Sequence, residues 1–179
     1  MSDEQKWITG IQQGDKDLFD EMARALYPRL LEFACSYTHS WTVAQDVVQE
    51  VLMRLWERHA SWKPHSSARA YLFAAVRNRA LNEQRDHPVS RNFPLSSILD
   101  QPSDEAPPGT TAELADLSLS YRIAVREMPE RRRKVFQLSR VYGLSYDEIA
   151  TVLGISINTV RTQMKDALKH VRAALEDFL

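Results

Sequence analysis

Polar side chains with the chemistry to read DNA cluster near the C-terminal end of the sequence. They are Asn158, Thr159, Arg161, Thr162 and Lys165. Asparagine and arginine can form paired hydrogen bonds with base edges in the major groove, whereas threonine and lysine bind nearby bases and phosphates. Such recognition breaks no covalent bond, so it depends on a rigid element that presents these side chains together.

The surrounding stretch predicts two short helices joined by a tight turn. Ser145 and Glu148 have the spacing of a capping box, which begins the first helix. Gly154 ends that helix, because glycine adopts a positive φ without a Cβ penalty, and Ser156 caps the second helix. Two capped helices around a glycine turn are typical of a helix-turn-helix, whose second helix enters the major groove.

The second helix has a predicted buried side and a predicted reading side. Apolar residues at helical spacing form the buried side: Val160, Met164, Leu168 and Val171. We expect Ala150 and Gly154 to be small because the two helices cross closely. The alternative is an ordinary helical hairpin with a solvated polar face, which the agreement of several local signals disfavours. The reading side is Ser156, Asn158, Thr159, Arg161, Thr162 and Lys165.

The composition of the chain argues against several other classes of protein. The chain has 179 residues, a net charge of −1, five glycines and one cysteine, Cys35. These features argue against a disulfide framework, a thiolate zinc site and a glycine-rich phosphate loop, and the histidines lack metal or nucleophile spacing. There is no apolar run of membrane-span length and no signal-peptide character at the N-terminus. We expect a cytoplasmic protein that is not an enzyme, with no cofactor, metal, small-molecule substrate or membrane insertion.

The near-zero net charge hides an uneven distribution. Residues from Tyr121 onward are predominantly basic, as is the stretch from Trp62 to Arg85, where Glu83 is the sole opposing acid. A basic patch is the electrostatic footprint of nucleic-acid binding, although each cluster taken alone also fits a solvated face.

The N-terminal half predicts a helical bundle. One helix runs from Asp15 to Tyr37, and Pro28 bends or splits it. A second begins at Thr42, with Gln45 as its capping partner, and its wide apolar face predicts that it is the centre of the bundle. The exposed strip of this second helix fits either a solvated surface or a docking face for a basic partner. That strip is Asp46, Gln49, Glu50, Met53, Arg54 and Glu57.

A third helix, from Ala68 to about Arg85, follows a polar loop and has the character of a surface for single-stranded or distorted DNA. Trp62, in the loop, either stacks on a base or packs in the core. Tyr71 is predicted to pack inward together with Leu72, Ala75, Val76 and Leu81. The polar and basic residues on the other sides are Arg69, Arg77, Asn78, Arg79, Asn82 and Arg85.

The stretch from His87 to about Leu117 is proline-rich and acidic, which predicts an extended linker. It carries a small apolar patch: Phe93, Leu95, Ile98 and Leu99. Helices resume from about Leu117 to Pro129 and from Glu130 to Val141. The predicted fold is therefore all-α, with two small helical domains, residues 1–87 and 118–179, joined by a flexible linker, residues 88–117.

Four stretches resemble, in order, the extracytoplasmic-function group of bacterial RNA polymerase sigma factors. They are AQDVVQEVLMRLWE, AYLFAAVRNRALNEQR, MPERRRKVFQLSRVYGLSYDEIA and GISINTVRTQMKDALKHVR. The resemblance covers nearly the whole chain outside the linker. It implies sigma region two, a helical bundle, in the N-terminal domain and sigma region four, with its helix-turn-helix, in the C-terminal domain. Regions one and three are missing, as in this group.

The resemblance also implies partners and residue roles in promoter-specific transcription initiation. The exposed strip would dock on the β′ clamp helices of core RNA polymerase, which the chain would also contact through the β subunit. The reading side would bind the minus-thirty-five element as double-stranded DNA. The acidic residues of the linker would mimic nucleic acid in the polymerase channel. An anti-sigma factor is a further implied partner. The minus-ten element would be recognised and opened by Lys63, Ser66, Arg69, Asn78, Arg79, Asn82 and Arg85, with Asn78 near the flipped base.

A second function class stays open from the residues alone, a stand-alone helix-turn-helix transcription regulator whose N-terminal domain senses a signal. Such a regulator binds its promoter without core polymerase. A sigma factor of this composition should instead bind DNA weakly by itself, because each domain has few cations with which to release counterions.

Overall fold

The computed structural model describes residues 3–86 and 112–178. Within these two ranges all regular structure is helical, which confirms the all-α prediction. The chain divides into two compact units, one N-terminal and one C-terminal. The predicted linker residues 87–111, with their apolar patch, lie outside the described residues.

The N-terminal unit contains α1 (Asp3–Gln12), α2 (Lys16–Thr38), α3 (Trp41–Glu57) and α4 (Ala68–Asp86), with a 3₁₀ turn, His59–Ser61, after α3. α2 packs against α1, α3 and α4. The prediction that α3 is the central helix is therefore wrong. Its wide apolar face has another cause, since α2 covers one part of it and α4 covers the adjacent part.

The core of this unit fixes α3 and α4 beside each other. Phe33 of α2 packs edge-on against Phe73 of α4, with ring centroids 5.0 Å apart. Burying each large apolar side chain contributes about 1.5–3 kcal/mol, so α3 and α4 are held firmly on α2. The side chains with almost no exposure include Met22, Leu30, Val47, Val48, Leu72 and Phe73.

α1 was not predicted from the sequence. Ile11 is fully buried, and Nε1 of Trp7 donates a hydrogen bond to Oε1 of Glu21 at 2.9 Å. Gly10 approaches α2 so closely that a Cβ there would lie 2.2 Å from Cδ1 of Leu18. The apolar spacing from Trp7 to Ile11 was the available signal.

α2 begins where the sequence predicts, because the side chain of Asp15 accepts a hydrogen bond from the backbone N of Leu18 at 3.1 Å. The helix is continuous through Pro28, so of the two predicted alternatives, a bend or a split, the split is wrong. Pro28 and Arg24, one turn earlier, are both exposed. Water can therefore satisfy the Arg24 carbonyl that proline leaves without a donor.

The predicted cap of α3 is also wrong. Ser40, not Thr42, caps the helix, since its Oγ accepts a hydrogen bond from the backbone N of Val43 at 3.4 Å. Ser40 has the extended backbone of an N-cap residue, and Thr42 already lies inside the first turn.

The C-terminal unit contains α5 (Ala112–Glu127), α6 (Glu130–Arg140), α7 (Tyr146–Leu153) and α8 (Ile157–Ala174), followed by a 3₁₀ turn, Glu176–Phe178. α5 begins five residues before the predicted Leu117. The acidic residues of this stretch are typical of the predicted linker, but acidic residues are also favourable near a helix N-terminus.

α8 packs on α5 and α6. The predicted inward residues of α6, Val135, Phe136 and Leu138, are buried. On α8 the prediction that Leu168 is buried is wrong, because it is 42% exposed, and Ala167 is fully buried instead. A stripe through positions 160, 164, 167 and 171 follows the helical period more closely than one through 168. None of the helices in the described ranges has the length and apolarity to cross a membrane.

Candidate nucleic-acid interface

The helix-turn-helix forms from local hydrogen bonds. The backbone N of Ser145 donates to Oε2 of Glu148 at 2.8 Å, and the backbone N of Glu148 donates to Oγ of Ser145 at 3.3 Å, which completes the predicted capping box. After the turn, Oγ of Ser156 accepts a hydrogen bond from the backbone N of Thr159 at 3.1 Å. Both predicted helix starts are confirmed.

Gly154 ends α7 with a φ of 66°, as predicted. The second reason given for a small residue there is wrong. A Cβ on Gly154 would meet nothing within 4 Å, so its backbone conformation, and not close helix crossing, is what favours glycine.

The whole predicted reading side is exposed at the N-terminal turns of α8. Oδ1 of Asn158 accepts a hydrogen bond from Nη1 of Arg161 at 3.2 Å, and Oγ1 of Thr162 donates to the Asn158 carbonyl at 3.0 Å. Oγ of Ser156 and Oγ1 of Thr159 are 2.9 Å apart. The Ser156 hydroxyl thus serves the helix cap and the Thr162 hydroxyl bonds the helix backbone, while all members of the set, Lys165 among them, remain exposed.

Two long-range contacts fix α8 on its neighbours. Nη2 of Arg132, on α6, lies 3.3 Å from Oδ2 of Asp166. Nε2 of His170 lies 3.0 Å from the carbonyl oxygen of Ala124, on α5. The reading side is therefore carried by a helix that is held at several points along its length.

In the N-terminal unit, the predicted strip on α3 is largely exposed. Met53 is 62% exposed and is the apolar member of the strip. Glu50 differs from its neighbours because it is half-buried and pairs with both Arg54 and Arg79. The remaining members of the strip, Asp46, Gln49 and Glu57, are exposed.

Most cations predicted to meet the minus-ten element already pair with carboxylates. Arg69 lies 3.3 Å from Glu4 of α1. Arg79 lies 2.5 Å from Glu50 and 2.8 Å from Glu83. Arg85 pairs with Asp86 at 3.3 Å on an exposed surface, and Lys63 and Ser66 are exposed in the loop before α4.

Of the two aromatic residues near this surface, Trp62 takes one of its two predicted alternatives and Tyr71 departs from its prediction. Trp62 is only 4% exposed, and its carbonyl accepts a hydrogen bond from Nε2 of Gln12 at 2.8 Å, so it is a core residue and cannot stack on a base. Tyr71, predicted to pack inward, is 38% exposed and packs edge-on against Trp62, with ring centroids 5.6 Å apart. The buried Phe73 occupies the inward position instead.

A groove of about 250 Å³ runs between α3 and α4. Tyr71, Ala75, Asn78 and Asn82 line it from one face of α4, at steps of four, three and four residues. The structure thus brings together two predicted asparagines and Tyr71, which sequence reasoning missed although the same spacing was visible in the sequence. Lys63, Ser66, Arg69 and Arg85 do not line the groove. From the α3 side and the following turn come Glu50, Val51, Arg54 and Arg58, and Arg79 completes the lining.

The residues that the structure describes contain no cluster of histidine, cysteine, aspartate and glutamate that could hold a metal ion. Cys35 is buried in α2, and this burial raises the pKa of its thiol.

An all-α bundle followed by a helix-turn-helix with an open reading side defines a DNA-binding transcription protein. Family models narrow the class, because Sigma-70 region 2 matches residues 22–88 and Sigma-70, region 4 matches residues 119–171. The chain belongs to the extracytoplasmic-function group of RNA polymerase sigma factors. As such it directs promoter-specific transcription initiation with core RNA polymerase, and the stand-alone regulator is not favoured. The family is not one of enzymes.

Curated relatives support this membership. The ECF RNA polymerase sigma factor SigL of Mycobacterium tuberculosis is 30% identical over 90% of this chain and 88% of its own. The RNA polymerase sigma-H factor of Pseudomonas aeruginosa is 25% identical over 98% of this chain and 95% of its own.

Two solved structures share the fold. CnrH, solved in complex with the cytosolic domain of CnrY, matches with a TM-score of 0.65 at 20% identity, over 98% of this chain and 99% of its own. The sigma factor RpoE, solved with the anti-sigma factor NepR from Bartonella quintana, matches with a TM-score of 0.59 at 22% identity. The match covers 88% of this chain and 96% of the RpoE chain.

Proposed function

We propose that the two units bind two promoter elements while α3 holds core RNA polymerase. The observation that carries this proposal is the exposure of the complete reading side on the N-terminal turns of α8. Two DNA-binding modules on one tether raise each other's effective concentration at a promoter, so each can bind weakly alone.

The C-terminal unit binds the minus-thirty-five element as intact duplex. Asn158 and Arg161 contact base edges in the major groove, and Thr159, Thr162 and Lys165 contact neighbouring bases and phosphates. Ser156 acts indirectly, because its side chain caps α8 and orients the first turn toward the DNA. The exposure of these side chains and their hydrogen bonds along a single turn support this assignment.

The N-terminal unit opens and holds the minus-ten element along α4. Asn78 and Asn82 bind the edge of an unstacked base in the groove, and Tyr71, added here to the predicted set, stacks on it. Extruding a base costs a few kcal/mol, and stacking on an aromatic ring returns about 1–3 kcal/mol. Phosphate contacts come from the cations of the predicted set, Lys63, Arg69, Arg79 and Arg85, together with Ser66.

The exposed strip of α3 docks on the clamp helices of the polymerase β′ subunit, with the β subunit as a further contact. Acidic side chains around the exposed Met53 suit a basic partner with a small apolar contact. Every member of the strip except the half-buried Glu50 is exposed.

The remaining expectations follow the same account. The two domains, predicted as residues 1–87 and 118–179, flank a linker that lies in the polymerase channel, where its acidic residues mimic nucleic acid. Because α5 begins at Ala112, the C-terminal domain starts there and not at residue 118. The protein works in the cytoplasm and catalyses no reaction. An anti-sigma factor holds it inactive, a proposal prompted by the solved RpoE–NepR complex.

The test is reconstitution with purified core polymerase. The chain should co-elute with core polymerase in size-exclusion chromatography, and the resulting holoenzyme should select DNA fragments that share two spaced elements. Binding of those fragments by the chain alone, as tightly as by the holoenzyme, would contradict the proposal.

A further inference from the structure

Glu50 lies where the two proposed surfaces of the N-terminal unit meet. Its Oε2 accepts a hydrogen bond from Nε of Arg79 at 2.5 Å, and its Oε1 pairs with Nη2 of Arg54. Glu50 and Arg54 belong to the strip on α3, whereas Arg79 belongs to the DNA-binding set on α4. The polymerase surface and the DNA surface therefore share one ion-pair network and one groove.

Arg79 is held from two sides. Its Nη1 donates to Oε2 of Glu83 at 2.8 Å, and its side chain is 27% exposed. The hydrogen bond to Glu50 is the largest cause that raises the pKa of Arg79 above its ordinary value. The two carboxylates engage two of the five N–H donors of the guanidinium and balance its charge, so it attracts a phosphate less strongly than a free guanidinium does.

The other paired cations of α4 differ in one respect. Arg69 pairs with Glu4 and Arg85 pairs with Asp86, and neither carboxylate belongs to the strip on α3. A partner that covers α3 meets the carboxylate that holds Arg79 but not those that hold Arg69 and Arg85.

We propose that Glu50 is a positioning residue that withholds Arg79 from DNA until core polymerase docks on α3. This inference rests on the proposed function of the two surfaces. The basic polymerase surface competes with Arg79 for the Glu50 carboxylate, and the released guanidinium then binds a phosphate of the opened strand. The new pair between Glu50 and the polymerase offsets the loss of the old one, so promoter binding becomes conditional on docking.

The test compares full-length variants by fluorescence anisotropy with a labelled oligothymidylate, whose phosphates are the probe. Glu50→Gln should bind several-fold more tightly than the wild type in the absence of polymerase. A plot of the logarithm of its binding constant against the logarithm of the salt concentration should have a slope steeper by about 0.7. This is the increment for one added phosphate contact on single-stranded DNA. The gain should vanish in the double variant Glu50→Gln, Arg79→Ala.

Glu32→Gln is the matched control, because it makes the same change of charge on an exposed residue of α2 that lies outside both proposed surfaces and the Arg79 network. It should leave the salt dependence unchanged. An equal gain in Glu32→Gln, or a gain that persists without Arg79, would overturn the inference.

A second variant changes the carboxylate on α4 that pairs with Arg79. Glu83→Gln removes its other carboxylate and leaves the strip on α3 intact, so it should tighten oligothymidylate binding without altering affinity for core polymerase. Circular dichroism checks that each variant keeps its helix content. If Glu50→Gln does not fold, Glu83→Gln decides the matter, and an absent gain there overturns the inference.

Holoenzyme measurements separate this inference from the proposed function. At saturating core polymerase, Arg79→Ala should weaken promoter binding, and Glu50→Gln should no longer exceed the wild type, because docking has already released Arg79. If the wild-type chain fails to bind core polymerase or to support initiation, the proposed function is wrong. If it does both and no gain depends on Arg79, this inference alone is wrong.

Discussion

Asn158 and Arg161 are joined within one turn of α8, where the amide oxygen of Asn158 accepts a hydrogen bond from Nη1 of Arg161 at 3.2 Å. The side chains that we propose to read double-stranded DNA are thus ordered against each other in the free protein. Such ordering lowers the entropy that the guanidinium loses when it forms paired hydrogen bonds with a guanine.

The first prediction follows from this pair. Arg161→Ala should weaken holoenzyme binding to the upstream duplex by about 1–3 kcal/mol and relax the preference at one base pair. Asn158→Ala should weaken binding less than Arg161→Ala does. Because the two residues are in contact, the loss of binding free energy in the double variant should be smaller than the sum of the two single losses by about 0.5 kcal/mol or more. Competition binding with single-base variants of the upstream element measures both effects.

Lys169→Ala provides the control for this experiment, since Lys169 is an exposed cation on α8 outside the reading side. It should leave base preference unchanged. An upstream preference that survives Arg161→Ala would remove Arg161 from the reading set, and strict additivity would show that the Asn158 hydrogen bond does not help it.

The second prediction concerns strand opening. Tyr71→Ala should reduce opening of the minus-ten element by about 1–3 kcal/mol, the contribution of one base stacked on an aromatic ring, whereas Tyr71→Phe should retain most of it. Permanganate reactivity of unpaired thymines in the holoenzyme complex measures opening. Equal opening by the alanine and wild-type proteins would exclude stacking on Tyr71.

Trp62→Ala should behave differently from Tyr71→Ala, because Trp62 is buried. We expect it to lower the free energy of unfolding by about 3–5 kcal/mol. Denaturant unfolding monitored by circular dichroism checks this, and an unchanged unfolding midpoint would contradict the assignment of Trp62 to the core.

The third prediction concerns docking on polymerase. Asp46→Lys should weaken association with core polymerase strongly, because like charges brought together across an interface cost several kcal/mol. Asp46 is a cleaner choice than Glu50, whose substitution also releases Arg79. Glu32→Lys, an equal change on the exposed side of α2, is the control. Native electrophoresis with labelled core polymerase measures both, and equal affinity of the two variants would refute the docking surface on α3.

The fourth prediction separates two roles for Gly154. Gly154→Ala should destabilise the C-terminal unit by about 1–2 kcal/mol through backbone strain alone, since its Cβ would meet no atom within 4 Å. Gly154→Asn should cost less, because asparagine tolerates the left-handed region better. Thermal unfolding followed by circular dichroism checks the order, and a larger loss in the asparagine variant would point to a steric cause instead.

The helix-turn-helix could be predicted because its signals are local. Ser145, Glu148, Gly154 and Ser156 each act within a few residues of their own position, and the structure realises every one of those caps. The exposure of the reading side could be predicted too, because these residues lie on the side of α8 opposite its buried stripe. The part of the stripe at Leu168 was mispredicted, since burial there depends on how α8 packs on its neighbours.

The N-terminal unit was harder because its decisive contacts join residues far apart in the chain. Apolar spacing does not say whether Trp62 or Tyr71 is covered, and Gln12, which donates a hydrogen bond to the Trp62 carbonyl, lies in a helix that was not predicted. The pair between Glu50 and Arg79 spans two helices. Periodicity assigned each residue to its own face, but it carried no information that the two faces meet.

Run-off transcription on fragmented chromosomal DNA, with purified core polymerase in the presence and absence of this chain, tests the central claim most directly. We predict transcripts whose start sites follow a shared pair of spaced promoter elements and that appear only when the chain is added. The same start sites, at the same level, with core polymerase alone would contradict the account.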